Sequence, residues 1–169
     1  SKWIYTFNRL YFNLNKNKQS SYVDWDTYFY PLDSIGDWNR MYGKNGFFQL
    51  QCVLPREFSE QGYTKILSTI QNKSSGTFLA VLKDFGAGNG HLSFPKEGLT
   101  LALDFKASQK NIEVGKELTH IVNNLGGSFY LAKDAIMNSA QFNNDFNKEE
   151  FLKYRNSAIK SEQSIRIEL

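Results

Sequence analysis

The run Phe85-Gly86-Ala87-Gly88-Asn89-Gly90 is of the kind that cradles phosphate, because closely spaced glycines let backbone amides approach an anion. Its spacing is G-x-G-x-G rather than G-x-G-x-x-G, and His91-Leu92-Ser93-Phe94-Pro95 follows in place of a helix. No helix N-terminus is offered to a phosphate, so the segment reads as a loop at a pocket mouth. His91 and His120 are the two histidines, and neither has a second ligand at metal spacing, so no metal is expected. Cys52, the single cysteine, excludes a disulfide framework and a cysteine-built zinc site. It alternates with apolar positions and reads as core rather than nucleophile. Lys83 and Lys133 each follow an apolar run at a strand end. A lysine there is most often a solvated terminus, and pattern alone gives neither a role.

The elements that must position these residues sharpen from residue 47 onward. Residues 1–25 read as short extended pieces around an exposed loop at 15–21. A further extended stretch at 28–30 ends at Pro31, a helix-like turn covers 35–41, and Lys44-Asn45-Gly46 makes a turn. Residues 47–54 alternate, with Phe48, Leu50, Cys52 and Leu54 on one face and Gln49, Gln51 and Val53 on the other. The pattern then predicts a helix over 57–72, strands over 77–83 and 99–105, and a helix N-capped by Ser108 that aligns Val114, Leu118, Ile121 and Leu125. In the second strand Phe78, Ala80 and Leu82 share the apolar face. Gly126-Gly127 stops the second helix, 128–132 is a short strand, and 148–160 a charged helix.

Strand, helix, strand, strand, helix, strand is the order of an α+β fold: a ferredoxin-like βαββαβ antiparallel sheet with both helices on one face. The uncovered face then carries Gln49, Gln51, Leu79, Val81, Lys83, Thr100, Ala102 and Asp104. Such a face suits a polyhydroxylated ligand or a covering domain. A stand-alone carbohydrate- or partner-binding module without catalysis, or a docking scaffold, fits the same pattern.

Composition limits the rest. The chain has 169 residues, room for one domain or for one and part of another. A net charge of +3, with no Lys/Arg stripe among the nine Tyr and fourteen Phe, argues against nucleic acid as partner. No apolar run reaches the roughly 18 to 20 residues of a membrane span, and Ser1-Lys2-Trp3-Ile4-Tyr5 lacks a signal-peptide pattern.

Several ordered blocks carry a resemblance. They are Tyr28-Phe29-Tyr30-Pro31-Leu32-Asp33, Ile35-Gly36-Asp37-Trp38-Asn39-Arg40 with Tyr42-Gly43, Phe48-Gln49-Leu50-Gln51 with Val53 and Pro55, Phe78-Leu79-Ala80-Val81-Leu82-Lys83 with Phe85-Gly86, Leu92-Ser93-Phe94-Pro95, and Gly126-Gly127 with Tyr130-Leu131-Ala132-Lys133-Asp134. Together they resemble the C-terminal half of the FAD-linked oxidases of the vanillyl-alcohol oxidase superfamily. The likeness is to the decaprenylphosphoryl-ribose oxidase branch, and more distantly to aldonolactone and alditol oxidases. The resemblance implies a flavoprotein oxidoreductase of bacterial type acting on a sugar or polyol C–OH, a lipid-linked pentose among the candidates. Its FAD would be bound mainly by a separate N-terminal domain, which becomes this chain's partner. Residues 1–126 would be an N-terminally incomplete substrate (cap) domain, and 127–169 would pack on the FAD-binding domain.

By the same resemblance Lys133 is the catalytic lysine near flavin and substrate hydroxyl, with Tyr130 beside it against the cofactor. Phe29, Gln49, Gln51, Leu79, Val81, Lys83, Thr100 and Ala102 would line the substrate site. Departures from the branch at Phe29, Thr100, Ala102 and Asp84 bear on which sugar is bound. The isolated chain is expected to be inactive, and the protein cytoplasmic or peripheral to the inner membrane.

Overall fold

The computed structural model describes residues 2–17, 20–30, 33, 35–74, 76–88 and 92–169. Two compact units divide the chain, Ser1–Trp38 and Asn39–Leu169.

In the first unit, Lys2–Asn15 is a helix (α1) and Trp25–Phe29 a short one (α2). This corrects the extended pieces expected in 1–25 and at 28–30. Phe7, Leu10, Tyr11 and Leu14 recur at helical spacing, and the Phe7 and Tyr11 rings stack at 6.2 Å. The other aromatics of the segment mask that period. Asp24 caps α2 by accepting the Asp26 N–H at 3.3 Å. Phe29 ends α2, exposed, with its ring edge-on to Tyr28 at 5.1 Å. Pro31, expected to end this stretch, lies outside the described residues.

The turn expected at 35–41 is a 3₁₀ turn, Trp38–Tyr42 (η1), ending on buried Tyr42. Gly43 and Gly46, both at positive φ, reverse the chain into the sheet. The strands are Phe47–Pro55 (β1), Thr77–Phe85 (β2), Gly98–Lys106 (β3) and Ser128–Phe129 (β4). They pair in the order β2-β3-β1-β4, all antiparallel. With helices Arg56–Lys73 (α3) and Gln109–Asn124 (α4) on one face, the ferredoxin-like α+β reading is borne out.

The core forms where alternation and helical period meet. Leu50, Cys52 and Leu54 of β1 and Leu101, Leu103 and Phe105 of β3 face Tyr63, Ile66 and Ile70 of α3 and Val114, Leu118, Ile121 and Val122 of α4. Ser108 caps α4 as expected, accepting the Asn111 N–H at 3.2 Å. At Gly127 a Cβ would come within 2.5 Å of the Val53 carbonyl and 2.6 Å of Val122 Cγ1, so only glycine lets β4 enter here. Burial pushes the Cys52 thiol up to about 12, which fits the core reading.

Strand β2 departs from simple alternation. Thr77 pairs with Phe105 but Ala80 with Leu103, so a bulge places both Phe78 and Leu79 opposite Asp104. Phe78 therefore leaves the helix-side face expected for it and packs edge-on to Tyr42 at 5.2 Å. Leu82 remains on the helix side but is 58% exposed, because α3 and α4 lie over β1 and β3 rather than over this edge strand.

The C-terminal stretch is more broken than expected. After β4 come a 3₁₀ turn, Leu131–Lys133 (η2), and three short helices, Ser139–Asp145 (α5), Glu149–Leu152 (α6) and Glu162–Arg166 (α7). In place of the helix expected over 148–160 there is only the four-residue α6. The Asn147 and Asn156 carboxamides take the Glu149 and Ala158 N–H groups, local bonds that compete with a continuous helix. Phe129, Met137, Phe142, Phe146 and Ile167 enter the same core as α3 and α4, so 127–169 is part of this unit.

Two tests follow from this packing. Phe105 is fully buried and stacks on Phe48 at 5.5 Å. Phe105→Ala is expected to cost about 3 to 5 kcal/mol in urea denaturation, whereas exposed Leu82→Ala should change stability by no more than about 0.5 kcal/mol. Asp145 provides the second. Both its carboxylate oxygens are buried without a normal hydrogen bond among the described residues. Burial pushes its carboxyl up to about 6, outweighing the nearby Phe129 N–H, Lys96 and Asn144. The folded chain thus holds this proton more tightly than the unfolded one. Its contribution favours folding at low pH and is lost as pH rises through about 6. Asp145→Asn should raise the melting temperature at pH 8 but not at pH 4, and an equal gain at both would contradict the assignment.

Candidate functional site

The face opposite α3 and α4 is ordered by strand register. Across β1 and β3, Gln49 pairs with Asp104, Gln51 with Ala102 and Val53 with Thr100. Across β3 and β2, Ala102 pairs with Val81 and Thr100 with Lys83. Residues two apart on a strand share a face, so the side chains singled out on these three strands form one surface.

Hydrogen bonds fix its polar part. The Gln51 amide donates to Thr100 Oγ1 at 3.2 Å, and the Thr100 hydroxyl donates to the Cys52 carbonyl at 2.8 Å. Thr100 is fully buried, so it holds Gln51 from behind rather than opening onto the surface. Gln49 Nε2 donates to Asp104 Oδ1 at 2.6 Å, and the Tyr42 hydroxyl donates to Asp104 Oδ2 at 3.1 Å. On the other side of the same amide, Lys133 Nζ donates to Gln49 Oε1 at 2.7 Å.

Lys133 arrives from the far end of the sheet. The Tyr130 N–H donates to the Gln51 carbonyl at 2.8 Å, extending the β4–β1 ladder by one bond, and η2 then turns Lys133 back over the sheet. The turn is anchored from behind by α7. Gln163 Nε2 donates to the Leu131 carbonyl at 2.6 Å, and Arg166 Nη2 pairs with the buried Asp134 carboxylate at 2.9 Å. Asp134 also accepts the Ile136 and Met137 N–H groups.

These elements enclose a cleft of about 540 Å³. Gln51, Lys83, Tyr130 and Lys133 supply its polar edge, and Phe85, Leu92, Phe94, Pro95 and Leu131 its apolar wall. Tyr130 stacks on Phe94 at 5.0 Å, and Phe85 meets Phe94 edge-on at 5.8 Å. Gln49 opens with Lys133 onto a smaller adjoining recess of about 300 Å³. Among the described residues, neither Lys83 nor Lys133 forms an ion pair. Asp84 is not among the residues lining the cleft, and it pairs with Arg56 at 2.7 Å. The site is cationic, with one aromatic wall.

Of the ten residues expected at the site, Gln51, Lys83, Tyr130 and Lys133 meet in the cleft and Gln49 braces Lys133. Ala102 pairs with Gln51 and Val81 with Ala102 one strand farther out, Leu79 sits at the bulge, and Phe29 belongs to the first unit. Sequence reasoning misses Tyr42, the role of Asp104, and the apolar wall. Alternation does put Asp104 on this face, but it gives no sign that Leu92 and Phe94 reach the cleft. Nothing local signals Tyr42, whose partner is 62 residues away. His91 lies outside the described residues. Among those described, no three of His, Cys, Asp and Glu gather as metal ligands, and no helix is long and apolar enough to cross a membrane.

The residues fit a flavin. A tyrosine ring already stacked at the cleft, next to an ammonium engaged by a neutral amide, suits a flat aromatic group that gains negative charge when reduced.

No protein-family model matches the chain. It is 37% identical over 132 residues to decaprenylphosphoryl-beta-D-ribose oxidase of Mycolicibacterium smegmatis, a match covering 77% of this chain and 28% of that protein. The chain thus spans little more than a quarter of the length of the curated relative it matches. The ordered blocks and this identity agree: the chain is similar to a part of that oxidase, consistent with a C-terminal fragment of an FAD-linked oxidase.

Proposed function

We propose that this chain is the substrate-side portion of a longer FAD-dependent oxidoreductase that oxidises a sugar or polyol C–OH. The relative's substrate, a lipid-linked ribose by its name, makes a lipid-linked pentose the first compound to try. The FAD would be held mainly by an N-terminal domain of the same protein, with Tyr130 and Lys133 of this chain closing over it. When bound, the FAD would supply the acceptor for a hydride from the substrate carbon.

One observation carries the reading: an ammonium without a carboxylate partner among the described residues, held by Gln49 at the edge of a cleft whose other polar groups are Lys83, Gln51 and Tyr130. Two cations and an amide suit hydroxyls and anionic oxygens, and the apolar wall excludes water from the reacting carbon. Lys133 can orient the reacting hydroxyl and stabilise negative charge that builds on the flavin. Gln51, held by Thr100, and Lys83 across the cleft can bind the remaining hydroxyls.

Rapid mixing of the full-length protein with substrate tests this assignment. Lys133→Ala is expected to slow flavin reduction by about 100-fold or more, and Gln51→Ala or Lys83→Ala to raise KM or lower kcat for the sugar. Near-normal reduction in Lys133→Ala removes that residue from the chemistry. Unchanged KM and kcat in both other variants mean that this face is not the substrate wall.

A further inference from the structure

Asp104 touches neither the cleft nor its adjoining recess, yet it is 1% exposed and carries a charge into the sheet. A carboxylate is costly to bury unless its oxygens are hydrogen-bonded. Here each oxygen has its own donor, Gln49 Nε2 on Oδ1 and the Tyr42 hydroxyl on Oδ2. We propose that Asp104, steadied by Tyr42, is a positioning residue that sets the place of the Lys133 ammonium through the amide of Gln49.

The argument is one of donors and acceptors. An ionised carboxylate only accepts, an ammonium only donates, and an amide has one end of each kind. Asp104 therefore demands the NH₂ end of Gln49, which leaves the carbonyl end for Lys133. A flipped Gln49 would set donor against donor at Lys133 and acceptor against acceptor at Asp104, losing both bonds. Without Asp104 the amide loses that preference, and Lys133 loses a fixed acceptor.

Tyr42 secures the far end. Its ring is 1% exposed, stacked on Phe47 at 4.5 Å and met edge-on by Phe78 at 5.2 Å. Burial and the adjacent Asp104 charge hold its hydroxyl well above the usual phenol range, so it stays a donor. The β2 bulge that turns Phe78 to this face thus helps to steady the carboxylate behind Lys133.

The kinetic half of the test rests on the oxidase reading, and the labelling half does not. Full-length protein is labelled with trace acetic anhydride, and acetylation of Lys133 is compared by mass spectrometry with that of Lys83 across the cleft. Asp104→Leu and Gln49→Leu should each raise the Lys133 to Lys83 ratio by about threefold or more, the size of one lost hydrogen bond. Asp104→Asn keeps the shape but can offer Gln49 its NH₂ end while Tyr42 donates to its carbonyl, so it too should raise the ratio. An unchanged ratio in Asp104→Leu and Asp104→Asn, or in Gln49→Leu, overturns the proposal. If Asp104→Leu does not fold, the isosteric Asp104→Asn decides in its place.

Flavin reduction at saturating substrate adds a double-mutant cycle. Asp104→Leu should slow it in the parent but add little to Lys133→Met, whereas additive losses contradict action through Lys133. If Lys133→Met itself reduces normally, the flavin role of Lys133 fails while the labelling ratio still decides whether Asp104 positions it.

Discussion

One side-chain amide joins the two halves of this site. Gln49 lies between a buried carboxylate and a cleft-edge ammonium, and each of its ends matches only one of them. The sheet makes this arrangement possible. β1 and β3 pair so that Gln49 meets Asp104 and, two residues on, Gln51 faces Ala102 beside Thr100. Helices α3 and α4 bury the opposite side of the same strands, so the backbone beneath the polar face is held by the main core. The polar face inherits that rigidity.

The second support comes from the C-terminal end of the chain. Lys133 is on a three-residue turn, an element too short to fix a side chain by itself. Its neighbour Asp134 is buried and shared among two backbone N–H groups and Arg166, while Gln163 ties down Leu131. A buried ion pair adds little net stability, but removing one partner leaves an uncompensated charge. The pair therefore serves geometry more than stability, locking the turn to α7. Met137, Phe142, Phe146 and Ile167 tie the same segment into the core. The tail of the chain builds one side of the cleft.

Much of this is legible in the sequence, for reasons that differ by element. In β1 and β3 one face is covered by helices and the other is polar, so period-two alternation is clear and places Gln49, Gln51 and Asp104 together. Helix α4 shows both its apolar stripe and its Ser108 cap. Strand β2 is legible but its bulge is not, because one extra residue in an apolar run leaves no compositional mark; simple alternation therefore puts Phe78 on the wrong face. In α1 the aromatics at Tyr5 and Phe12 fall off the helical stripe and imitate alternation. The C-terminal helices are four to seven residues long, and asparagine and serine caps rather than periodicity set α5 and α7. The contacts that matter most at the site, Lys133 to Gln49 and Tyr42 to Asp104, join residues 84 and 62 apart. Local pattern cannot display such pairs, and for Lys133 the family resemblance supplies the signal instead.

What unites these observations is a cation held at the edge of an aromatic cleft, and the proposed function sets the flavin beside it. Its most direct test is the two-electron reduction potential of the flavin in the full-length protein, measured by spectroelectrochemical titration of the parent and of Lys133→Met. Removing a cation beside the flavin disfavours the negatively charged reduced form, so a more negative potential is expected in the variant. An unchanged potential, with flavin still bound, would contradict a place for Lys133 beside the cofactor.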